Sequence, residues 1–318
     1  MTANGPALSV VIPCYNEEAN VGTLWERLKR VLDGLGREYE VIFTDDGSTD
    51  GTLEALRRIA DGAGGRVAVV ELAHNCGQHR AVFAGMSQAR GKVVVTLDAD
   101  LQNPPEEIPA LLEAMERNGW EVVGSVRRNR QDSFLRKLAS GFVARLARKM
   151  TKVDLRDWGS MLRAYSREVV DQMTKHPEHS TYIPALATMY AKRVGEVEVT
   201  HEGRKDGPSR YSLGKLMDLY LDLMTSFSDA PLKVLFYVGV WLAVLGFLLA
   251  GVLLAGRLLL GPEWAAEGVF TLFSVLFFFV GAQFFALGLI GQYITRIYRE
   301  VRKRPPYVIK EVYRGEGE

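Results

Sequence analysis

Residues 97–105 read Leu-Asp-Ala-Asp-Leu-Gln-Asn-Pro-Pro and follow Val93-Val94-Val95-Thr96, a buried-strand signature running directly into two carboxylates one residue apart. Asp98 and Asp100 are hard oxygen donors. They suit Mg2+ or Mn2+, ions that keep coordination positions for water and a substrate phosphate. Such an ion would neutralise a departing nucleotide diphosphate. Paired aspartates also occur in ordinary turns, so the reading gains force from two further clusters, Tyr15-Asn16-Glu17 and Asp45-Asp46-Gly47-Ser48-Thr49-Asp50. In the second, acidic oxygens suit hydrogen bonds from a ribose or base, while Gly47 lets the backbone turn sharply. Ser48 to Asp50 equally suit a helix cap, and the two roles can coexist. No pattern pairs Cys14 or Cys76, the only two cysteines, with a base, so both read as small packing residues. A disulfide framework is not expected, and cytosolic folding is.

These clusters need a scaffold that brings them together. Leu8 to Pro13 is a short apolar, β-branched run, followed by a polar loop and then by helical spacing from Val21 to Leu35. The same order recurs with Tyr39 to Phe43 and a helix from about Leu53, then with Val67 to Leu72 and a helix near Gln78 to Ala89. Lys92 to Leu97 supplies a fourth strand. Alternating strands and helices predict an α/β fold, a mostly parallel Rossmann-like sheet covered on both faces. Ligands of such sheets bind beyond the carboxyl ends of the strands, where all three clusters fall.

The chain has 318 residues, with 39 Lys and Arg against 38 Asp and Glu, so no charge excess argues for a nucleic-acid partner. No signal peptide is expected at the start. A mean hydropathy near zero hides an apolar C-terminal part. Val234 to Gly256 is a run of 23 uncharged residues, about 34 Å long as a helix, and Gly268 to Thr295 is a run of 28. Both are long enough to cross a membrane, as an alternative to buried core helices. Arg296, Arg299, Arg302, Lys303 and Arg304 follow the second run, whereas the connector between the runs carries only Arg257 among Lys and Arg. That bias puts the connector outside and both termini in the cytoplasm. The expected organisation is a cytoplasmic domain over 1–210, a juxtamembrane amphipathic helix over 211–230, two transmembrane helices over 231–295 and a basic cytoplasmic tail over 296–318, with the basic cluster able to meet anionic membrane lipids. The second span and the apolar tail residues Tyr307, Val308 and Ile309 permit contacts between copies.

Three segments, Val11-Ile12-Pro13-Cys14-Tyr15-Asn16-Glu17, Asp45 to Asp50, and Leu97 to Pro105, make the chain resemble family 2 glycosyltransferases of the GT-A fold, specifically the polyprenyl-phosphate glycosyltransferases. Further segments resemble the branch whose donor is a UDP-linked 4-deoxy-4-formamido-L-arabinose and whose acceptor is undecaprenyl phosphate. They are Gly77-Gln78-His79, Arg127 to Ser133, Met161-Leu162-Arg163-Ala164-Tyr165, Ser180 to Pro184 and Trp264 to Phe270. The likeness covers nearly the whole chain. It implies that Pro13, Tyr15, Glu17 and Asp46 help hold a uridine nucleotide, and that Asp98, Asp100 and Gln102 surround the metal and diphosphate, which makes Asp100 catalytic. Arg127, Arg136 and Ser140 correspond to residues that similar mannosyl-phosphate-lipid synthases use around the acceptor phosphate. Asp157 matches the family's acidic position near sugar and acceptor, as a second catalytic candidate. Cys76 departs from the aromatic residue expected between Asn75 and Gly77, which leaves details of the sugar pocket there outside the carry-over.

A lipid monophosphate has its second pKa near about 6, so at neutral pH much of it is already dianionic and no strong base is required. Single displacement with inversion follows. Asp157 then manages a proton, orients the acceptor, or only caps a turn. Arg136 and Ser140 are four apart in the amphipathic stretch Phe134 to Met150, hence on one helical face that could receive a headgroup or simply be solvated. His79 and His201 are read as structural. Glucose, mannose or another sugar remains an alternative donor group, and a non-catalytic scaffold or flippase subunit is the alternative from another class. The missing Gln-x-x-Arg-Trp motif and the two spans argue against a processive polymerase.

Overall fold

The structure, a computed structural model, describes residues 5–127, 155–175, 182–200, 230–260, 269–302 and 305–315. It opens with β1 (Leu8–Cys14), α1 (Glu18–Gly34), β2 (Tyr39–Asp45), α2 (Thr52–Asp61), β3 (Val67–Leu72), α3 (Gln78–Gln88) and β4 (Val93–Thr96). The four strands expected from the sequence are present, each within two residues of its expected ends. A 3-10 turn at Pro105–Glu107 leads into α4 (Ile108–Asn118), and then come β5 (Val122–Arg127), β6 (Arg163–Ser166), α5 (Arg167–Lys175), α6 (Ile183–Tyr190) and β7 (Val194–Val199).

Every residue of β2 is buried, as is all of β1 except a partly covered Pro13, so both are central strands with apolar residues on both faces. Val10 and Ile12 point into one core, with Val21, Leu24, Leu28 and Leu32 of α1, whose spacing of three and four makes one stripe. Val11 and Ile42 point into the other, with Ala81, Val82 and Met86 of α3. The result is a sheet sandwiched between helices.

Strand order is β7-β5-β6-β4-β1-β2-β3, with an eighth strand, β8 (Ile309–Arg314), beyond β3. β1 to β4 are mutually parallel, as are β5 and β7; β6 runs antiparallel to β4 and β5, and β8 antiparallel to β3. The chain builds outward from β1 through β2 to β3, then returns to place β4 on β1's other side. This reversal makes the gap between β1 and β4 the topological switch point, where open α/β sheets bind ligands. Because β6 runs the opposite way, it begins at the edge where its neighbours end, and the loop entering it lands there too.

β8 revises the expected boundaries. Residues 309–314, expected in a basic tail, are part of the sheet, and residues 305–315 belong to the same compact unit as 5–200. Tyr307 and Ile309, read from sequence as available to a second copy, pack against the protein's own core, and the Val308 carbonyl accepts the Ala73 N–H at 2.9 Å.

A second unit contains α7 (Ala230–Leu260) and α8 (Val269–Val301), which include the expected spans. Their apolar windows, Leu232–Leu249 and Phe278–Thr295, are 0% buried. Trp241 is 74% and Phe247 80% exposed. A soluble core helix would cover such side chains, so these are candidate membrane helices.

Candidate active site

At the switch point the loops after β1 and β2 are zipped together by polar side chains. Ser48 Oγ accepts the Asn16 N–H at 3.1 Å, Asn16 Oδ1 accepts the Thr49 N–H at 2.8 Å, and Thr52 Oγ1 accepts the Glu17 N–H at 2.8 Å. Asn16 holds φ at 56°, a left-handed conformation that Asn tolerates better than most residues. The expected nucleotide residues Pro13, Tyr15 and Glu17 all lie on this segment. Pro13 stands where β1 has passed the last pairing with β4, so its missing N–H breaks no ladder bond there. Tyr15 is 40% exposed, and Glu17 Oε2 accepts Asn20 Nδ2 at 2.6 Å.

Asp46, the fourth expected nucleotide residue, is placed differently. It is buried, and its carboxylate oxygens accept backbone N–H groups of Cys76 at 2.7 Å and Gly77 at 2.9 Å. Burial pushes its pKa up, against the lowering effect of those two amides. Asp46 thus fastens the segment 74–77 to the end of β2. Gly47 supports the contact: at φ 67° it lies where a Cβ would come 2.8 Å from the Asn75 nitrogen. Gly77, at φ 93°, then turns the chain into α3.

The first residue of that helix reaches the acidic turn after β4. Gln78 Nε2 donates to Asp98 Oδ1 at 2.6 Å, and Asn103 Nδ2 donates to Asp98 Oδ2 at 3.2 Å. Asp100 accepts the Gln102 N–H at 3.1 Å and Gln102 Nε2 at 2.7 Å. Leu101 between them sits at φ 61°, a strained conformation for a bulky side chain that such turns keep at functional sites. The donor set suits a hard divalent ion. Two partly exposed carboxylates receive neutral amide donors. Such oxygens suit Mg2+ or Mn2+, ions that leave positions for water and substrate phosphate.

Asp157 stands in the loop entering β6. It is 3% exposed, its Oδ1 accepts the Gly159 N–H at 3.0 Å, and its own N–H donates to Glu196 Oε1 at 3.1 Å. The turn-capping role left open by the sequence is therefore present. Two contacts tie this loop to the rest of the site. Thr96 Oγ1 donates to the Met161 carbonyl, and Tyr182, whose ring meets His79 edge-on at 5.4 Å, donates its hydroxyl to the Trp158 carbonyl at 2.6 Å. Burial pushes the His79 pKa down to about 4, which leaves a neutral ring at pH 7.

The edge of the sheet thus gathers Pro13, Tyr15, Glu17, Asp46, Asp98, Asp100, Gln102 and Asp157. Arg127 ends β5 at the same edge. Arg136, Ser140, His201 and the amphipathic stretches 134–150 and 211–227 lie outside the described residues. Sequence reasoning attached no role to Gln78, although it is the side chain that links α3 to Asp98.

The family described as Glycosyl transferase family 2 matches residues 9–176, and the GtrB C-terminal hairpin matches residues 230–297. The undecaprenyl-phosphate 4-deoxy-4-formamido-L-arabinose transferase of Edwardsiella ictaluri (strain 93-146) is 48% identical over 308 residues, 97% of this chain and 94% of that protein. The protein of the same name from Proteus mirabilis (strain HI4320) is 50% identical over 305 residues, 96% of this chain and 93% of the other. Among solved structures, glucosyl-3-phosphoglycerate synthase from Mycobacterium tuberculosis, in complex with Mn2+, UDP and glucosyl-3-phosphoglycerate, superposes with a TM-score of 0.52 at 20% identity, covering 70% of this chain and 80% of that one. Its complex with Mg2+ and UDP gives a TM-score of 0.51 at 22% identity, with coverage of 70% and 80%. At such identity the likeness is one of fold.

Proposed function

Because the chain belongs to glycosyl transferase family 2 and has the GT-A fold, we propose that it transfers 4-deoxy-4-formamido-L-arabinose from its UDP-sugar to undecaprenyl phosphate, at the cytoplasmic face of a bacterial membrane. The observation that carries the donor and acceptor is the near-50% identity to transferases of that name, sustained over 96% of the chain and so through both candidate membrane helices.

In this reading Pro13, Tyr15 and Glu17 contact the uridine nucleotide, and Asp46 acts on it through the segment 74–77. Asp98 and Asp100, with Gln102 orienting Asp100, would hold Mg2+ or Mn2+, which when bound offsets charge on the departing diphosphate. Gln78 and Asn103 fix the rotamer of Asp98, the kind of outer support that ligating carboxylates need. The acceptor phosphate brings its own ionised oxygen, so the protein's task is alignment behind the anomeric carbon, and the product is inverted. Arg127, Arg136 and Ser140 are assigned to the acceptor phosphate, and Asp157 to its orientation or its remaining proton.

The membrane arrangement proposed is a two-helix hairpin with both ends cytoplasmic. Basic residues concentrated after the second helix support it. So does connectivity: β8 completes the same sheet as β1 to β7, so an even number of crossings must separate them.

The test incubates the full-length protein with undecaprenyl phosphate, Mn2+ or Mg2+ and a panel of UDP-sugars, reading lipid mass and released UDP. A formamido-arabinosyl lipid is expected, lost at least 100-fold in Asp100→Ala and on chelation. Glucosyl or mannosyl lipid alone would reassign the donor, and folded protein that binds donors yet makes no lipid product would favour a scaffold.

A further inference from the structure

Among the described residues Arg163 is the largest fully buried side chain, at 0% exposure, and the mechanism above does not use it. It is the first residue of β6, with Thr96 of β4 on one side and Gly124 of β5 on the other. Its side chain turns back along the loop from which β6 emerges. Nε donates to the Ser160 carbonyl at 2.9 Å, and Nη2 donates to the Asp157 carbonyl at 2.6 Å. Nη1 is buried with no hydrogen-bond partner, and a Cβ at Gly124 would lie 3.0 Å from it and 3.6 Å from Glu196 Cγ, which brings that carboxylate to the same side of the sheet.

A guanidinium sealed from water is costly to bury, because carbonyl oxygens solvate the charge but do not cancel it. What Arg offers is a planar fork that grips two acceptors in a fixed mutual geometry. Here the acceptors are the two carbonyls that bracket Asp157 to Ser160. The rest of the loop is fixed on other sides: Ser160 Oγ meets Ser125 Oγ at 2.6 Å, and Glu196 accepts the Arg156 and Asp157 N–H groups. Room for the fork comes from that missing Cβ at Gly124.

We propose that Arg163 is a positioning residue for Asp157, holding the 157–160 turn in register with the acidic turn after β4. This rests on the assignment of Asp157 to the acceptor step.

The test compares full-length Arg163→Met, Asp157→Asn and the double variant with the parent in the undecaprenyl-phosphate assay, together with melting temperatures. Arg163→Met is expected to lower kcat by about 100-fold, as misplacement of about 1 Å does, while donor KM stays within about threefold and the melting temperature falls because two buried carbonyls lose their donor. The double variant is expected to match Asp157→Asn within about threefold, since groups acting as one unit do not add. Multiplying losses, or a parallel rise in donor KM, would overturn the proposal. An Asp157→Asn enzyme with parental kcat rejects the role given to Asp157, whereas an impaired Asp157→Asn beside an active Arg163→Met rejects the positioning role alone. Should Arg163→Met not fold, Gly124→Ala keeps the arginine and displaces its fork; a severalfold loss of kcat at unchanged donor KM is expected, and parental kcat would count against the proposal.

Discussion

A carboxylate whose two oxygens each accept a backbone N–H orders the chain, and Asp46 is in that state while its neighbour is not. Asn at position 46 would offer one acceptor oxygen and turn an NH2 group toward a backbone donor, at a cost of about 1–3 kcal/mol. The segment 74–77 should loosen, and with it the approach of Gln78 to Asp98. Asp46→Asn is therefore expected to weaken UDP binding about tenfold in titration calorimetry with Mn2+, and unchanged binding would contradict the clamp. Asp45 makes the internal control. It is equally buried, its Oδ2 accepts the Ser48 N–H at 3.2 Å, and its Oδ1 has no partner. Burial raises its pKa, so its ionised form opposes folding as pH rises above the unfolded value, and Asp45→Asn should leave the melting temperature at pH 7 equal or higher. The adjacent pair was visible in the sequence as two carboxylates at a strand end. Which of them the chain itself occupies was not, because the amides that decide it come from Cys76 and Gly77, about thirty residues on.

Among elements, the end of the sheet opposite the site has its own lock. Glu40 of β2 is 2% exposed, accepting Ser9 Oγ of β1 and the Arg90 N–H before β4, each at 2.7 Å, and Arg90 Nη2 at 2.8 Å. Burial pushes its carboxyl pKa up, but the Ser9 hydroxyl and the Arg90 amide and guanidinium outweigh that, leaving it below the ordinary value of 4.5. A depressed carboxylate pKa contributes stability above the unfolded value, and that contribution disappears as pH falls through the folded one. Melting temperatures of Glu40→Gln should therefore lie below the parent's at pH 7 and converge on it as the pH drops below about 4.5. A constant gap across that range would mean that the ionised form is not what matters. Legibility differed by element for a physical reason. β1 to β4 are apolar runs ending in polar clusters, and their period and boundaries are local. β6 is Arg-Ala-Tyr-Ser, with no apolar run, and becomes a strand because β4 and β5 flank it. β8 reads as charged tail because its charges serve an edge: Lys310 and Arg57 bridge Glu71, Arg57 meets Glu311 at 2.6 Å, and Tyr313 bonds Asp61.

For the whole molecule, the chain leaves the sheet after β7, runs through two long apolar helices and comes back to pair β8 with β3. Were α7 and α8 soluble, their exposed windows would set large aromatic and aliphatic side chains in water without a stabilising partner inside the chain. In lipid the same side chains would sit in their preferred surroundings, and the proposed hairpin would restore β8 to its starting side. Orientation then follows from where Lys and Arg collect, and residues 261–268 should face the outside. The chain carries a useful internal reference, since Cys14 is buried and Cys76 is only partly covered, on the segment held by Asp46. A cysteine placed at Trp264 should react with a membrane-impermeant maleimide on intact spheroplasts, whereas Cys76 should react only after permeabilisation. The opposite labelling order would invert the topology and put the nucleotide site on the side without UDP-sugars. Labelling of neither before permeabilisation and of both after it would mean that the helices do not cross, and the return of β8 to the sheet would then need no membrane at all.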